Sequence, residues 1–193
     1  MNEDVREQAA RRHAENAQRF LAIAEGVTDW SAPTPVKEWT ARDVVDHLVT
    51  WFPGFLAGGS DLTIPAGPAV AGDPVGAFRH QSSAVQAILD DPATTRRVFG
   101  STMFGELPLA QVIDQFYSAD VLMHRWDLAK ASGQDPDLDE DVVKAMQAGM
   151  AAMGGALRAS GQFGEEQPVG ADATTVEKFI AFIGRDPSWE PPR

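Results

Sequence analysis

The chain has 193 residues, of which 16 are basic and 28 acidic, giving a formal net charge of -12. This excess of negative charge repels phosphate backbones and anionic lipid headgroups, so we expect neither a nucleic-acid nor a membrane partner. The hydrophobic content of 44% is that of an ordinary globular protein. The length suits a single domain, which we assign to residues 1–193.

The chain contains no cysteine. It therefore forms no disulfide and offers no thiolate as a metal ligand or nucleophile, so any thiol chemistry needs a thiol from outside the protein. The opening residues are polar and charged, and no apolar run reaches the length of a membrane span. We therefore expect a cytoplasmic protein that is a monomer or a homodimer.

In the first half of the chain, hydrophobic residues recur at the helical spacing of three and four. This spacing predicts three helices. The first covers 3–26, the second begins at Thr40 and ends at the interruptions Pro53-Gly54 and Gly58-Gly59, and the third runs from Asp73 to about Leu89. Thr40 and Asp43 form a capping-box pattern at the start of the second helix. Pro33 and Pro35 predict that segment 29–39 crosses between helices in an extended conformation.

The second half of the chain contains the strongest helical pattern. It runs without interruption from Pro108 to Ser132, and Gly133 closes it as a C-cap. Residues 97–107 before it suit a short extended excursion that allows a minor hairpin. Two further helices are predicted, from Asp137 or Asp139 to Ser160-Gly161 and from Val176 to Ile183, before an irregular tail from Pro187. Such a set of elements predicts an all-α helical bundle, in which sites form between facing helices.

A carboxylate and an imidazole are paired on the strongest helix. His124 follows Asp120 by four residues, so both lie on one face, about 6 Å apart along the axis. The pair can bind one metal ion together, and burying it without a partner is costly. His47, midway along the second helix, is a third ligand if the two helices pack face to face. Two imidazoles and one carboxylate suit Zn²⁺, Ni²⁺, Mn²⁺ or Fe²⁺ and leave a position for water or substrate.

Spacing alone leaves other interpretations open. An Asp-x-x-x-His pair on a helix also forms as an ordinary hydrogen-bonded pair without metal. His13 and His80 have charged or polar neighbours, so we expect both at the surface. Asp127 either hydrogen-bonds a ligand imidazole or faces solvent, and the two interpretations have equal weight. The tryptophans and methionines are expected to fill the core rather than to line a cofactor site.

Three parts of the sequence together resemble a known family. They are PTPVKEWTARDVVDHL at 33–48, ADVLMHRWDLA at 119–129, and GQFG at 161–164 followed by GRDPSW at 184–189. They resemble the actinobacterial metal-binding proteins related to the N-terminal domain of mycothiol-dependent maleylpyruvate isomerase, within the DinB-like superfamily. The resemblance spans nearly the whole chain, and the combination of W-T-x-x-D-x-x-x-H with D/E-x-x-x-H-x-W-D-L carries it.

The resemblance implies a DinB-like four-helix bundle, here with extra short helices and a possible minor hairpin. It implies a divalent metal, with zinc preferred, held by His47, Asp120 and His124. The isomerase has Glu where this chain has Asp120, and it has a further C-terminal domain for which this chain is too short. Related bundles transfer thiols, which implies a small-molecule thiol such as mycothiol as co-substrate and an electrophile as the second substrate. A metal-binding or stress-response module without catalysis is the alternative.

Overall fold

The computed structural model describes residues 2–102, 104–151 and 163–192, with side chains from residue 4 onward. The helices are α1 (Asn2–Glu25), α2 (Ala41–Gly59), α3 (Pro74–Asp90), α4 (Leu109–Val112), α5 (Ala119–Ser132), α6 (Glu140–Ala151) and α7 (Thr175–Phe182). A 3-10 turn spans Pro92–Arg96 and a π-helical turn spans Ile113–Ser118. Strands β1 (Val98–Ser101) and β2 (Gly105–Pro108) pair as an antiparallel hairpin. The described chain is thus predominantly helical, as the periodicity predicts.

The main hydrophobic core lies between four helical segments. Helix α1 packs against α3 and α5, and α2 packs against the same two helices. Aromatic pairs join the layers, with ring centroids 4.2 Å apart for Phe20 and Phe78 and 4.4 Å apart for Phe52 and Tyr117. Each such fully buried side chain contributes about 1.5–3 kcal/mol to folding. No described helix has the length and apolarity that a membrane span requires.

A second, smaller core lies on the other side of α5. It is formed by Leu122, Met123 and Trp126 of α5 together with Val143, Phe179, Ile180 and Ile183 from the C-terminal part of the chain. Helices α6 and α7 pack against each other and complete this cluster. Helix α5 is therefore buried on both sides, which fixes the position of any functional side chain it carries.

The predicted helix starts are confirmed. In the Thr40–Asp43 capping box, the Thr40 side chain accepts from the Asp43 N–H, and the Asp43 carboxylate accepts from the Thr40 N–H at 2.7 Å. Pro53 does not end α2, which runs on to Gly59. Proline removes one backbone donor, but the fully buried Phe52 and Leu56 on either side hold the helix together.

Two further expectations about the backbone are corrected. Segment 29–39 is not extended: the Trp39 N–H donates to the Val36 carbonyl, and the Thr34 N–H donates to the Trp39 carbonyl, so the chain turns back on itself. The long helix from 109 to 132 is interrupted by the π-helical turn, where one extra residue per turn changes the face that the following residues present. The helix predicted from 137 or 139 runs through Ala151, and its remainder to Ser160-Gly161 lies outside the described residues.

His13 is buried rather than at the surface. It lies between the buried Ala9 and Ala17 on the inner face of α1, and none of its surface is exposed (0%). Its Nε2 donates to the Ser82 carbonyl at 3.0 Å, so Nδ1, 3.4 Å from the Ser118 hydroxyl, is the acceptor. The polar residues beside it in sequence point to other faces of the helix, which is why they misled the prediction. 

His80 is at the surface, as predicted, but one of its ring nitrogens is hydrogen-bonded. It is half-buried, and its Nε2 donates to the Pro65 carbonyl at 2.9 Å. This bond ties α3 to the loop before it. Of the four histidines in the chain, the two predicted to lie free at the surface are thus both held by backbone carbonyls.

We expect the buried His13 to make the protein less stable in mild acid. Burial lowers the pKa of His13 from its ordinary 6.5, although the Ser82 hydrogen bond and the charges of Asp90 and Asp114 act to raise it. The unfolded chain therefore takes up the proton first, and stability is lost as pH falls from about 6.5 toward the lower folded-state pKa. Urea unfolding of the wild type and His13→Gln at several pH values between 7.5 and 5 measures this. The wild type should lose more stability over that range than the variant, and equal losses would contradict the assignment.

Candidate metal centre

The structure brings together the three residues that the sequence singled out. Nε2 of His47 lies 3.0 Å from Oδ2 of Asp120, and Nε2 of His124 lies 3.4 Å from Oδ1 of the same carboxylate. One ligand atom from each of the three residues lies within 4.8 Å of the others. They form the one cluster of three or more potential metal ligands among the residues that the structure describes.

The fold explains this convergence. Helices α2 and α5 pack face to face, as the third-ligand prediction requires. The capping box fixes the start of α2, with the N-cap residue Thr40 seven residues before His47. The π-helical turn ends one residue before α5 begins at Ala119, so it sets the direction in which Asp120 and His124 project.

Burial differs among the three side chains. The His124 side chain is 6% exposed and that of Asp120 is 16% exposed, whereas that of His47 is 31% exposed. The cluster is therefore closed on the α5 side and accessible to solvent beside His47. Solvent therefore reaches the cluster on the His47 side.

The proton on His124 is assigned by its neighbour Asp127. Nδ1 of His124 lies 2.9 Å from Oδ2 of Asp127, whose side chain is fully buried. A carboxylate can only accept, so Nδ1 carries the proton and donates it. In a neutral imidazole the lone pair of Nε2 then faces the Asp120 carboxylate. Two acceptors face each other there, so the pair needs a cation between them, either a proton or a metal ion.

Arg185 completes this support from the C-terminal part of the chain. Its guanidinium donates to both oxygens of Asp127, at 3.2 and 3.4 Å. Gly184 makes the approach possible, because the chain turns there with a φ of 88°. A Cβ at Gly184 would lie 2.6 Å from the Cα of Gly164. Only glycine suits this position, so the turn that aims Arg185 at Asp127 depends on it.

The two carboxylates stay ionised despite their burial. Burial raises the pKa of Asp120, but the charges of His124 and His47 and hydrogen bonds from His47 and Trp51 outweigh it and hold that pKa below its ordinary value. Burial likewise raises the pKa of Asp127, and the charge of Arg185 together with His124 outweighs it, again lowering the pKa. The site therefore presents negative charge to a cation.

Two tryptophans contact the cluster directly. The indole N–H of Trp51 donates to Oδ2 of Asp120 at 2.9 Å. The ring of Trp39 stacks on His124 with centroids 5.5 Å apart and an interplanar angle of 18°, and it lies 5.1 Å from His47. Glu38, just before it, adopts a left-handed φ of 68°, which helps the tight turn direct Trp39 over the imidazoles. Both tryptophans also pack against the main core, as expected, so they contact the core and the cluster together.

The donor set fits a small divalent ion. Ligand atoms at about 2.0–2.2 Å from a tetrahedral ion lie roughly 3.3–3.5 Å from one another. Nε2 of His47 lies 3.0 Å from Oδ2 of Asp120 and Nε2 of His124 lies 3.4 Å from Oδ1, both close to that value, whereas the three ligand atoms taken together are spread over up to 4.8 Å. Two imidazoles and one carboxylate are ligands that zinc accepts, with a fourth position left open. Metal binding itself remains a prediction.

Sequence reasoning singled out the three clustered residues and missed part of their surroundings. Of the two interpretations of Asp127, the structure shows the hydrogen bond to the His124 imidazole rather than a side chain that faces solvent. Trp51 lies four residues after His47, so helical spacing alone could have placed it on the same face. Arg185 has no periodic signal, because it follows α7 and reaches Asp127 across 58 residues of sequence.

Comparison with known proteins places the chain among mycobacterial relatives. Two proteins from Mycobacterium tuberculosis are 32% identical to it over 180 residues, covering 91% of this chain and 96% of each relative: uncharacterized protein MT0763 of strain CDC 1551 / Oshkosh and uncharacterized protein Rv0738 of strain ATCC 25618 / H37Rv. The chain belongs to the family of these two proteins. A match of this length leaves at most the chain ends outside, so this mycobacterial family shares the span that contains α2 and α5. No family model matches the chain, and no solved structure gives a significant match.

We expect the Arg185–Asp127 pair to be important for stability. Arg185→Met leaves the buried Asp127 carboxylate with His124 as its remaining partner, and breaking a buried pair in this way costs about 3 kcal/mol. The free energy of unfolding in urea measures the loss. The matched control is Arg79→Met, because Arg79 and its partner Glu25 are each more than half exposed, and it should cost under about 1 kcal/mol. Equal effects of the two substitutions would contradict this role.

Proposed function

We propose that the protein is a divalent-metal-binding protein, with zinc as its preferred ion and His47, Asp120 and His124 as ligands. We further propose that it acts as a thiol-dependent transferase or isomerase, with a low-molecular-weight thiol such as mycothiol as co-substrate and an electrophile as the second substrate. The observation that carries the proposal is the convergence of two imidazole Nε2 atoms on one carboxylate, at 3.0 and 3.4 Å.

Electrostatics support a metal ion over protons alone. The rings of His47 and His124 have centroids 4.8 Å apart, so two imidazolium charges there would repel each other. One divalent ion lets both imidazoles be neutral and still balances the charge of Asp120. The net charge of -12 also favours cations over anions near the protein at long range.

The chain's own residues would bind and orient in this scheme. Asp127 and Arg185 hold His124 with Nε2 turned toward the cluster, and Trp51 holds one oxygen of Asp120. A bound divalent ion supplies charge that lowers the pKa of a coordinated thiol. The exposed side of His47 is where a thiol and an electrophile would enter. Because the chain has no cysteine, no thiol of its own competes with the incoming one.

The packing of the helices agrees with the DinB-like bundle that we propose as the fold family. Helices α1 and α2 each contact α3 and α5, so four helical segments pack around one core: 2–25, 41–59, 74–90 and 109–132. The extra helices α6 and α7 and the hairpin are additions to that bundle. The site between the second and fourth segments is where the resemblance to the metal-binding family leads us to expect it.

Metal content tests the first half of the proposal. Wild-type protein loaded with Zn²⁺ and dialysed should retain about one ion per chain by elemental analysis. Asp120→Ala and His124→Ala should retain almost none. Asp127→Asn keeps all three ligands but loses the fixed orientation of His124, so its affinity by calorimetry should fall about 10–100-fold. His80→Ala is the matched control and should bind as the wild type does, and a wild type that binds neither Zn²⁺ nor Ni²⁺ would refute the proposal.

Thiol consumption tests the second half. Zinc-loaded protein should consume mycothiol in the presence of a reactive electrophile from a small panel, and His124→Ala should not. Glutathione at the same concentration tests whether the site distinguishes between low-molecular-weight thiols. Metal binding without thiol consumption would favour the module without catalysis. If the protein binds no metal, the Asp120–His124 pair on α5 has a structural role only.

A further inference from the structure

A row of half-exposed aromatic rings begins at the candidate metal centre and leads away from it. Consecutive ring centroids are 5.1 Å apart from Trp39 to His47, 6.1 Å from His47 to Trp51, and 5.5 Å from Trp51 to Phe55. Each of these side chains is partly exposed and none is fully buried. The row therefore includes His47, which is also the most exposed of the three ligands.

The row continues from α2 to the hairpin. The centroid of Phe55 lies 5.5 Å from that of Phe116 in the π-helical turn, and Phe116 lies 5.3 Å from Phe104 in the turn of the hairpin. Phe116 and Phe104 are also half-exposed. Phe99, beneath them on β1, is buried and supports Phe55 with centroids 4.6 Å apart. We call the five outer aromatic residues and His47 the aromatic strip; its members are Trp39, His47, Trp51, Phe55, Phe104 and Phe116.

The five outer aromatic residues of the strip pack against the main core and also keep part of their surface exposed. Single exposed hydrophobic residues are ordinary on protein surfaces, whereas contiguous patches mark binding sites. Four separate elements contribute rings here: the 29–39 segment, α2, the hairpin turn and the π-helical turn. Their partly buried rings neighbour one another in an unbroken series, and that series includes a residue of the candidate metal centre.

Two glycines keep the solvent side of the strip open. Gly54 lies seven residues after His47, and Gly58 lies seven residues after Trp51. Each glycine is therefore on the same face of α2 as the strip. An added Cβ at either position would meet no atom within 4 Å. A glycine inside a helix costs about 1 kcal/mol relative to alanine, and here no packing contact requires it. The bare backbone leaves space beside Trp51 that a larger side chain would occupy.

We infer that the aromatic strip binds the flat, uncharged, apolar body of a small molecule whose other end reaches the candidate metal centre. Ring faces bind flat apolar groups by stacking, which is worth more than burial of area alone. The five outer aromatic residues of the strip are uncharged, and Arg97 at the foot of the hairpin already pairs with Asp61 at 2.8 Å. A second copy of the chain is the poorer occupant, because it would bring another charge of -12 to this face.

This inference names the chemical class of the electrophile in the proposed function, and in that respect the inference rests on the proposed function. The substrate would be an aromatic or similarly flat apolar compound rather than a small anionic acid. Binding to the strip itself needs no metal ion. The two ideas can therefore fail separately, and the test uses metal-free protein.

The neutral dye N-phenyl-1-naphthylamine is a suitable probe. Titrated into full-length protein dialysed against a chelator, it should give saturable binding at one site, with energy transfer from Trp39 or Trp51. Phe104→Ala should weaken that binding about tenfold, through loss of one stacked ring and its apolar area. Gly58→Leu should reduce it at least as much by filling the open space beside the strip.

The control for the glycine variant is Gly149→Leu. Gly149 is also a helical glycine whose added Cβ meets no atom within 4 Å, but it lies on α6. Gly149→Leu should bind the dye as the wild type does, and circular dichroism should show that all variants are folded. If Gly58→Leu fails to fold, Phe104→Ala decides the result.

Three outcomes would overturn the inference. The first is a wild type without saturable dye binding. The second is that Phe104→Ala and Gly58→Leu bind the dye as strongly as Gly149→Leu does. The third is a wild-type dimer in sedimentation that Gly58→Leu converts to monomers, which would make the strip an interface between two copies of the chain.

Discussion

The Asp120 carboxylate is the group on which the rest of the site depends. It accepts from Trp51 and lies within 3.4 Å of the Nε2 atoms of His47 and His124, so three aromatic side chains from two helices are organised around one charge. An ionised carboxylate at this depth is stable only when donors or cations surround it. The packing of α2 on α5 and the solvent opening beside His47 both follow from where those partners lie.

The C-terminal part of the chain acts on this carboxylate through His124. Helix α7 packs in the second core on the back of α5, and the residue after Gly184 reaches forward to Asp127. The chain of contacts runs from Arg185 through Asp127 and His124 to Asp120. Helices α2 and α5 supply His47, Asp120 and His124, and Asp127 of α5 decides which nitrogen of His124 carries the proton. Arg185 holds Asp127, so the C-terminal part of the chain contributes to the cluster as well as to packing.

The site is asymmetric, and the asymmetry suits binding of small molecules. On the α5 side, buried residues and the ionised pair Asp127–Arg185 leave no access. On the α2 side, His47 and the aromatic strip lie at the surface. The three clustered residues and the residues that offer apolar contact are therefore adjacent but chemically distinct. A ligand with one polar end and one flat apolar end would match both.

The sequence by itself determined most of the helices, the Thr40–Asp43 capping box and the Asp120–His124 pair. Those features are local, since they depend on spacing along one helix or on residues three or four apart. The sequence did not reveal that His13 is buried, that segment 29–39 folds into turns, or that a π-helical turn precedes Asp120. It also did not identify Arg185 or the aromatic strip. These depend on contacts between residues far apart in the chain, such as Asp127 with Arg185 and Phe55 with Phe116, which only the tertiary structure brings together.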